Sequence, residues 1–139
     1  MTYFVPYELR DNAEVSELVG KTIVYLAVTE TKDELQIKCS DGSEYLMYHD
    51  QDCCETVWIE DICGDLKDLL GNPITLAEES TSNKDPEGYK SKEDYRDESC
   101  TWTFYKFATI KGYVDIRWLG ESNGYYSEEV TFSRTKEPG

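Results

Sequence analysis

The residues best suited to chemistry lie close together in the middle of the chain. Residues 49–68 contain the only histidine, His49, the adjacent pair Cys53 and Cys54, and seven carboxylates against a single lysine. Crowding of like charges raises carboxylate pKa values and destabilises a segment unless cations or hydrogen-bond donors offset it. Proteins tolerate such local conflict mainly at functional sites, so this stretch is the first candidate.

A metal site is one interpretation of the stretch. Zinc would take one nitrogen and three sulfurs, from His49, Cys53, Cys54 and Cys63. Adjacent cysteines rarely chelate the same tetrahedral ion, however, and the chain has no C-x2-C pair. Calcium or magnesium would take oxygens from Asp50, Asp52 and Glu55, but the glycine of a tight calcium loop is missing. We therefore predict no metal and no cofactor.

Catalysis is a second interpretation. Cys53 or Cys54 could act as a nucleophile with His49 as its base. Carboxylates could act as general acid and base, namely Glu55 with Glu60 or Asp61. No third group that would orient the histidine is evident in the sequence. The remaining alternative is structural, with buried thiols and solvated or helix-capping acids. We predict no catalytic residue, and a binding protein is favoured over an enzyme.

A second cluster surrounds a turn near the C-terminus. It combines aromatic rings with hydrogen-bonding groups, from Arg117, Trp118, Ser122, Asn123, Tyr125 and Tyr126. Such groups suit a pocket for a flat polar ligand such as a nucleotide. The alternative is an ordinary hairpin turn with cross-strand aromatic pairs. We predict a ligand site that joins this cluster to the acidic stretch, through His49, Asp50, Asp52, Cys53, Cys54, Glu55, Glu60 and Asp61.

The elements that must position these residues are mostly strands. β-Branched and aromatic alternation predicts three strands near 22–30, 34–39 and 43–49. Asp41-Gly42, between the last two, is a strong hairpin signal. Shorter strands follow at TVWIE (56–60) and ITLAEES (74–80). Three longer antiparallel strands are predicted near 100–110, 113–119 and 125–133.

Two short helices are predicted between the strands. The first ends at Gly20 and has an apolar stripe of Ala13, Val15, Leu18 and Val19. The second is capped by Asp61, ends at Gly71 and has apolar positions at Ile62, Leu66, Leu69 and Leu70. The sequence therefore predicts an α+β fold, a predominantly antiparallel sheet of seven or eight strands with two short helices. Residues 1–139 form a single domain, with an N-terminal arm at 1–12, a charged loop at 82–99 and a loose tail at 135–139.

The overall charge excludes several classes of partner. The chain has 139 residues, with 29 Asp and Glu against 14 Lys and Arg and a formal net charge of −15. That charge repels nucleic-acid phosphates and anionic lipids, so we expect no direct nucleic-acid or membrane partner. No apolar run approaches the roughly 18 residues of a membrane helix, and no signal peptide is evident, which predicts a cytoplasmic protein with free thiols. Exposed edge strands favour a homodimer.

Two long blocks of the sequence resemble a known family. YHDQDCCETVWIEDICGDLKDLLGNPI and TWTFYKFATIKGYVDIRWLGESNGYYS are similar to small proteins of tailed bacteriophages and prophages, a family with no established activity. The resemblance covers about residues 20–133, and its most distinctive parts are the D-x-D-C-C-E and S-N-G-Y-Y-S blocks. It implies a phage accessory protein in the cytoplasm of a bacterial host cell, with a counter-defence role, and it assigns no catalytic residue.

Two functional hypotheses follow. The first is a non-enzymatic protein that binds and sequesters a small polar, nucleotide-like ligand between the two clusters. The alternative is an acidic inhibitor whose spaced carboxylates imitate a phosphate backbone and block a host DNA-binding or defence enzyme. The imitating groups would be Asp50, Asp52, Glu55, Glu60, Asp61, Asp65 and Asp68.

Overall fold

The computed structural model describes residues 11–87 and 99–139, which form two antiparallel sheets. The first sheet has the strand order β1-β9-β4-β3-β2 and the second has the order β5-β8-β7-β6. Within these described ranges the strands are β1 (Asp11–Asn12), β2 (Ile23–Val28), β3 (Glu34–Cys39), β4 (Glu44–Tyr48), β5 (Thr56–Cys63), β6 (Leu76–Ser82), β7 (Ser99–Thr109), β8 (Gly112–Ser122) and β9 (Thr131–Lys136). Two short 3-10 turns, Val15–Leu18 and Leu66–Leu69, complete the regular structure.

The prediction of an α+β fold with two short helices is wrong, because each expected helix is a single 3-10 turn. The apolar residues that suggested the first helix include Val15 and Leu18, which are buried and three positions apart, as one 3-10 turn requires. Two flanking apolar residues, Val19 and Ile23, instead form isolated bridges to Ile74 and Leu70. Segments this short lack the length at which an α-helix becomes stable.

One continuous core lies between the two sheets. Side chains alternate across each strand, so Leu35 and Ile37 of β3 and Ile116 and Trp118 of β8 point inward and belong to the same buried cluster. Antiparallel sheets that share a core in this way pack face to face as a sandwich. The core therefore couples the two sheets into one packed unit.

The local hairpin prediction is confirmed, whereas the last strand is displaced. β3 and β4 pair antiparallel around Asp41 and Gly42, with Leu35 opposite Met47. The strand expected at 125–133 starts only at Thr131 and continues to Lys136, and β8 extends to Ser122. Residues 123–130 are consequently a loop, and part of the expected loose tail belongs to β9.

Two of the expected segments extend beyond the described residues. The N-terminal arm at 1–12 is described only from Asp11, where β1 pairs with β9 at the edge of the first sheet. Residues 88–98 of the charged loop also lie outside the described ranges.

Candidate functional site

Two loops cross between the sheets at the same end of the sandwich. The acidic turn, residues 49–55, connects β4 of the first sheet to β5 of the second, and the tyrosine loop, residues 123–130, connects β8 back to β9. β4 pairs with β9 and β5 pairs with β8, with Tyr48 opposite Thr131 and Thr56 opposite Glu121. Because both pairs of strands end together, the two loops lie side by side, as the sequence hypothesis requires.

A buried ion pair fastens the acidic turn to the tyrosine loop. His49 Nδ1 donates to the carbonyl oxygen of Glu129 at 2.6 Å, and His49 Nε2 donates to Glu55 Oε2 at 2.6 Å. The side chains of His49 and Glu55 are 4% and 0% exposed. A carbonyl oxygen can only accept, so Nδ1 carries a hydrogen, and an ionised Glu55 carboxylate accepts from Nε2. We call this arrangement the clamp.

The clamp also organises the backbone of the acidic turn. Glu55 Oε2 accepts from the amide of Asp52 and Glu55 Oε1 accepts from the amide of Cys53, each at 2.9 Å. Donation from His49, supported by these amides and opposed by burial, lowers the pKa of Glu55 to about 2. Gln51 Nε2 donates to the carbonyl oxygen of Glu55 at 2.8 Å. His49 and Glu55 therefore satisfy each other and the turn, which makes them structural groups.

A second buried network, which the sequence did not predict, supports the tyrosine loop. The buried Glu128 accepts from Thr101 Oγ1 at 2.7 Å and from Ser122 Oγ, and Ser122 Oγ accepts from the amide of Gly124 at 3.0 Å. The loop also packs directly on Gly120, where an added Cβ would lie 2.7 Å from the carbonyl oxygen of Glu128. Thr101 and Glu128 are distant in sequence and in separate elements, so no local pattern links them. Ser122 is thus an internal support for the loop.

The outward side of the two loops is acidic and aromatic. Asp50, Asp52 and Glu129 are exposed, and Tyr125, which is 84% exposed, meets Tyr126 edge to face with ring centroids 5.2 Å apart. Asn123 Oδ1 accepts from the amide of Tyr125 at 2.9 Å and so shapes the loop. Residues 49–56 and 121–130 contain no lysine or arginine. We call these five side chains, Asp50, Asp52, Glu129, Tyr125 and Tyr126, the acid–tyrosine surface.

Other predicted site residues lie on a different face. Arg117 Nε and Nη2 donate to Glu60 Oε2 at 2.7 and 2.6 Å, and Arg117 Nη2 lies 4.0 Å from Asp61 Oδ2. The guanidinium carbon of Arg117 also lies 5.1 Å from the centroid of the Trp102 ring, on the outer face of the second sheet. Trp118, the next residue of β8, is fully buried in the core. Neighbouring residues of a strand face opposite sides of the sheet. Arg117 and Trp118 therefore face opposite sides of the sheet.

A cleft borders the Glu60–Arg117 pair on the side of the first sheet. Its lining includes Val28, Lys32, Glu60 and Asp61. The amide of Ile59 donates to the carbonyl oxygen of Lys32 at 2.7 Å, which ties the β2–β3 turn to β5. The cleft thus has an apolar wall and charged groups of both signs, and Lys32 is a lining residue that the sequence did not single out.

The cysteines differ from the expectation that all thiols are free. Cys53 and Cys54 are joined by a disulfide and are both exposed, whereas Cys39 and Cys63 are free thiols. Within residues 11–87 and 99–139, no group of three or more His, Cys, Asp or Glu side chains could hold a metal ion. Since both nitrogens of His49 already donate hydrogen bonds, the zinc interpretation has no support from this histidine.

Comparison with known proteins places the chain in a family. No helix within the described ranges is long and apolar enough to cross a membrane. No curated protein and no solved structure matches the chain. A family model described as "Domain of unknown function (DUF7448)" matches residues 16–132. This match covers both loops of the candidate site and all strands from β2 to β8, and the chain therefore belongs to the DUF7448 family.

Proposed function

We propose that the chain is a non-enzymatic interaction protein that binds a basic surface of a partner protein through its acid–tyrosine surface. The supporting observation is that the buried side chains of the two loops make internal hydrogen bonds, whereas acidic and tyrosine side chains are exposed. His49, Glu55, Ser122 and Glu128 hold the loops from inside, while the side chains of Asp50, Asp52, Glu129 and Tyr125 are exposed on the outside. His49 and Glu55, the candidate base and acid, are engaged in internal hydrogen bonds, which favours recognition over catalysis in this proposal.

Charge supports a cationic partner. Among the described residues, exposed carboxylates outnumber exposed lysines and arginines by more than two to one. Several cations are already neutralised by ion pairs, among them Lys21 with Asp41, Arg117 with Glu60 and Arg134 with Glu17. A field of one sign steers an oppositely charged surface into contact. Exposed tyrosine rings add favourable contacts with arginine guanidinium groups.

The proposed partner is a host enzyme that binds DNA or acts in defence, blocked because the carboxylates take the place of phosphates. The resemblance to phage and prophage proteins supports such an accessory, counter-defence role in the bacterial cytoplasm. Glu55 is buried and Glu60 is paired with Arg117, so neither imitates a phosphate in this proposal. The carboxylates that take the place of phosphates are instead those of Asp50, Asp52 and Glu129.

The test compares two variants with the same change of net charge. The site variant is Asp50→Asn, Asp52→Asn, Glu129→Gln, and its matched control is Glu30→Gln, Glu78→Gln, Glu87→Gln, at exposed positions outside the two loops. The probe is a fluorescent arginine-rich peptide. The site variant should weaken binding about tenfold and the control less than about threefold, and added salt should weaken wild-type binding steeply. Equal losses in both variants would mean that net charge alone, rather than this surface, binds the peptide.

A small-ligand function has one specific feature in its favour, the cleft beside Glu60 and Asp61. A ligand with an apolar body and charged groups would contact the Val28 wall, Lys32 and Asp61. Thermal-shift measurements against a nucleotide panel test this candidate, with Asp61→Asn as the variant. Stabilisation by a nucleotide that the variant abolishes would favour sequestration over surface recognition.

A further inference from the structure

The cysteine pair on the acidic turn is an unusual group for this surface. Cys53 and Cys54 are adjacent in sequence, both exposed and bonded to each other. The other cysteines offer natural controls, because Cys63 is exposed yet free and Cys39 is buried. Adjacency gives each thiol a permanent neighbour, so the second step of disulfide formation is intramolecular and needs no encounter.

The pair is also connected to the clamp. The amide of Cys53 and the amide of Asp52 both donate to the Glu55 carboxylate, at 2.9 Å each. Gln51 Nε2 lies 3.3 Å from the carbonyl oxygen of Cys53, to which it donates. The backbone before the disulfide is therefore held by three side-chain contacts, and the two sulfurs stay on the outer side of the turn. Access to small solutes and a fixed position are the properties of a modification site.

We propose that Cys53–Cys54 is a reversible thiol–disulfide modification site that reacts with small disulfides, and with cationic ones faster than with anionic ones. One cysteine thiolate attacks a sulfur of the small disulfide, which releases one small thiol and leaves a mixed disulfide on the protein. The neighbouring thiolate then attacks the protein sulfur and releases the second small thiol. The protein loses two electrons and two protons, which the small disulfide gains, and a dithiol reductant reverses the reaction.

Charge selection follows from the surroundings of the pair. Asp50 and Asp52 precede the cysteines on the same exposed turn, and no lysine or arginine occurs in residues 49–56. A dication is concentrated near such a turn and an anion is repelled, and both effects weaken with salt. The reaction does not require the partner binding proposed above, so either proposal can fail alone.

The experiment oxidises the reduced full-length protein with cystamine, a dication, or with oxidised glutathione, an anion, at equal concentration. Remaining thiols are alkylated in denaturant, and intact mass with peptide mapping identifies the bonded residues. We expect three alkylated cysteines and a disulfide between residues 53 and 54. Oxidation by cystamine should be about fivefold faster than oxidation by glutathione disulfide at low salt, and this difference in rate should shrink at about 0.5 M salt. Asp50→Asn with Asp52→Asn should reduce the preference.

Cysteine variants separate the intramolecular step from general thiol reactivity. Cys53→Ser and Cys54→Ser should each stop at a stable mixed disulfide, whereas Cys63→Ser should behave like the wild type. Preferential oxidation of Cys63 or Cys100, a mixed disulfide that persists on the wild-type pair, or equal rates with both reagents would overturn the proposal.

Discussion

Two ion pairs in this molecule lower the pKa of a carboxyl to about 2 and yet have different roles. Glu55 receives His49 Nε2 and two backbone amides, and Asp41 receives Lys21 Nζ together with the hydroxyl and amide of Ser43. In each case the pKa falls to about 2, mainly because of the side-chain hydrogen bond from His49 or from Lys21. The Glu55 side chain is fully buried, whereas the Asp41 side chain is 38% exposed.

Burial and topology, rather than the size of the pKa shift, distinguish the two pairs. Lys21–Asp41 joins neighbouring segments at the surface, where water replaces a lost partner at little cost. His49–Glu55 lies under two loops that connect different sheets, where a lost partner leaves a charge without water. A lowered pKa identifies a satisfied carboxylate, and its surroundings decide whether the fold depends on it.

The largest expected effect comes from breaking the buried pair at its histidine. His49→Leu removes the donor to Glu55 and the donor to the Glu129 carbonyl, and it leaves a carboxylate buried beside an apolar side chain. We expect a loss of about 3 kcal/mol in the free energy of unfolding, measured by urea denaturation. A loss below about 1 kcal/mol would place this pair in the same class as Lys21–Asp41.

The next effect tests the tyrosine loop without touching any charge. Gly120→Ala places a methyl group 2.7 Å from the carbonyl oxygen and 2.8 Å from the Cβ of Glu128, so the loop must move. We expect a loss of about 2 kcal/mol, the usual cost of overpacking. Displacement of the loop should also change the NMR signals of His49. Unchanged histidine signals would show that the clamp does not depend on the position of the loop.

A smaller effect is expected at the exposed pair. Lys21→Met removes the donor to Asp41 but leaves both contacts from Ser43, and water reaches the carboxylate. The free energy of unfolding should fall by at most about 1 kcal/mol. Urea denaturation beside His49→Leu measures the contrast directly, and a loss as large as that of His49→Leu would contradict the role we assign to burial.

The smallest effect is a shift in titration. Because the folded-state pKa of each carboxyl is depressed, each contributes stability above its ordinary pKa, which is 4.5 for Glu55 and 3.8 for Asp41. Each loses that contribution as pH falls from this value toward about 2. Salt screens exposed charges more than buried ones. In about 0.5 M salt, the pKa of Asp41 should rise toward its ordinary value and the pKa of Glu55 should stay almost unchanged. Carboxyl-carbon NMR measures both values. Equal shifts would indicate that solvent reaches both pairs alike.

Local features of the fold could be predicted from the sequence. The β3–β4 hairpin follows from alternation and Asp41-Gly42, since a turn and its flanking strands are contiguous. Alternation also contains information that the ligand-site hypothesis did not use. Arg117 and Trp118 are consecutive in a strand and must face opposite sides, so they could not line one pocket. The prediction of two short helices failed because apolar residues three positions apart suit a single 3-10 turn as well as an α-helix.

The candidate site was predictable in location but not in construction. Charge density marked the acidic turn, and the aromatic cluster marked the neighbouring strand and loop. The bond from His49 to Glu129 spans 80 residues, and the bond from Thr101 to Glu128 joins separate elements. Such contacts depend on the order of strands in the sheets, which no local pattern contains. Sequence reasoning therefore named His49 and Glu55 as ligand groups without the hydrogen bonds that tie both side chains into the two loops.

The position of β9 between β1 and β4 determines when the first sheet can be completed during folding. Asp11 pairs with Arg134 and Tyr48 pairs with Thr131, so both contacts close long loops of chain. Antiparallel folds dominated by such distant pairs usually fold in milliseconds to seconds, more slowly than helical bundles. On the ribosome, the carbonyl that His49 binds is added 80 residues after the histidine itself. The acidic turn is thus synthesised before the residue that holds it in place. Protection of the turn from proteases should therefore report completed folding.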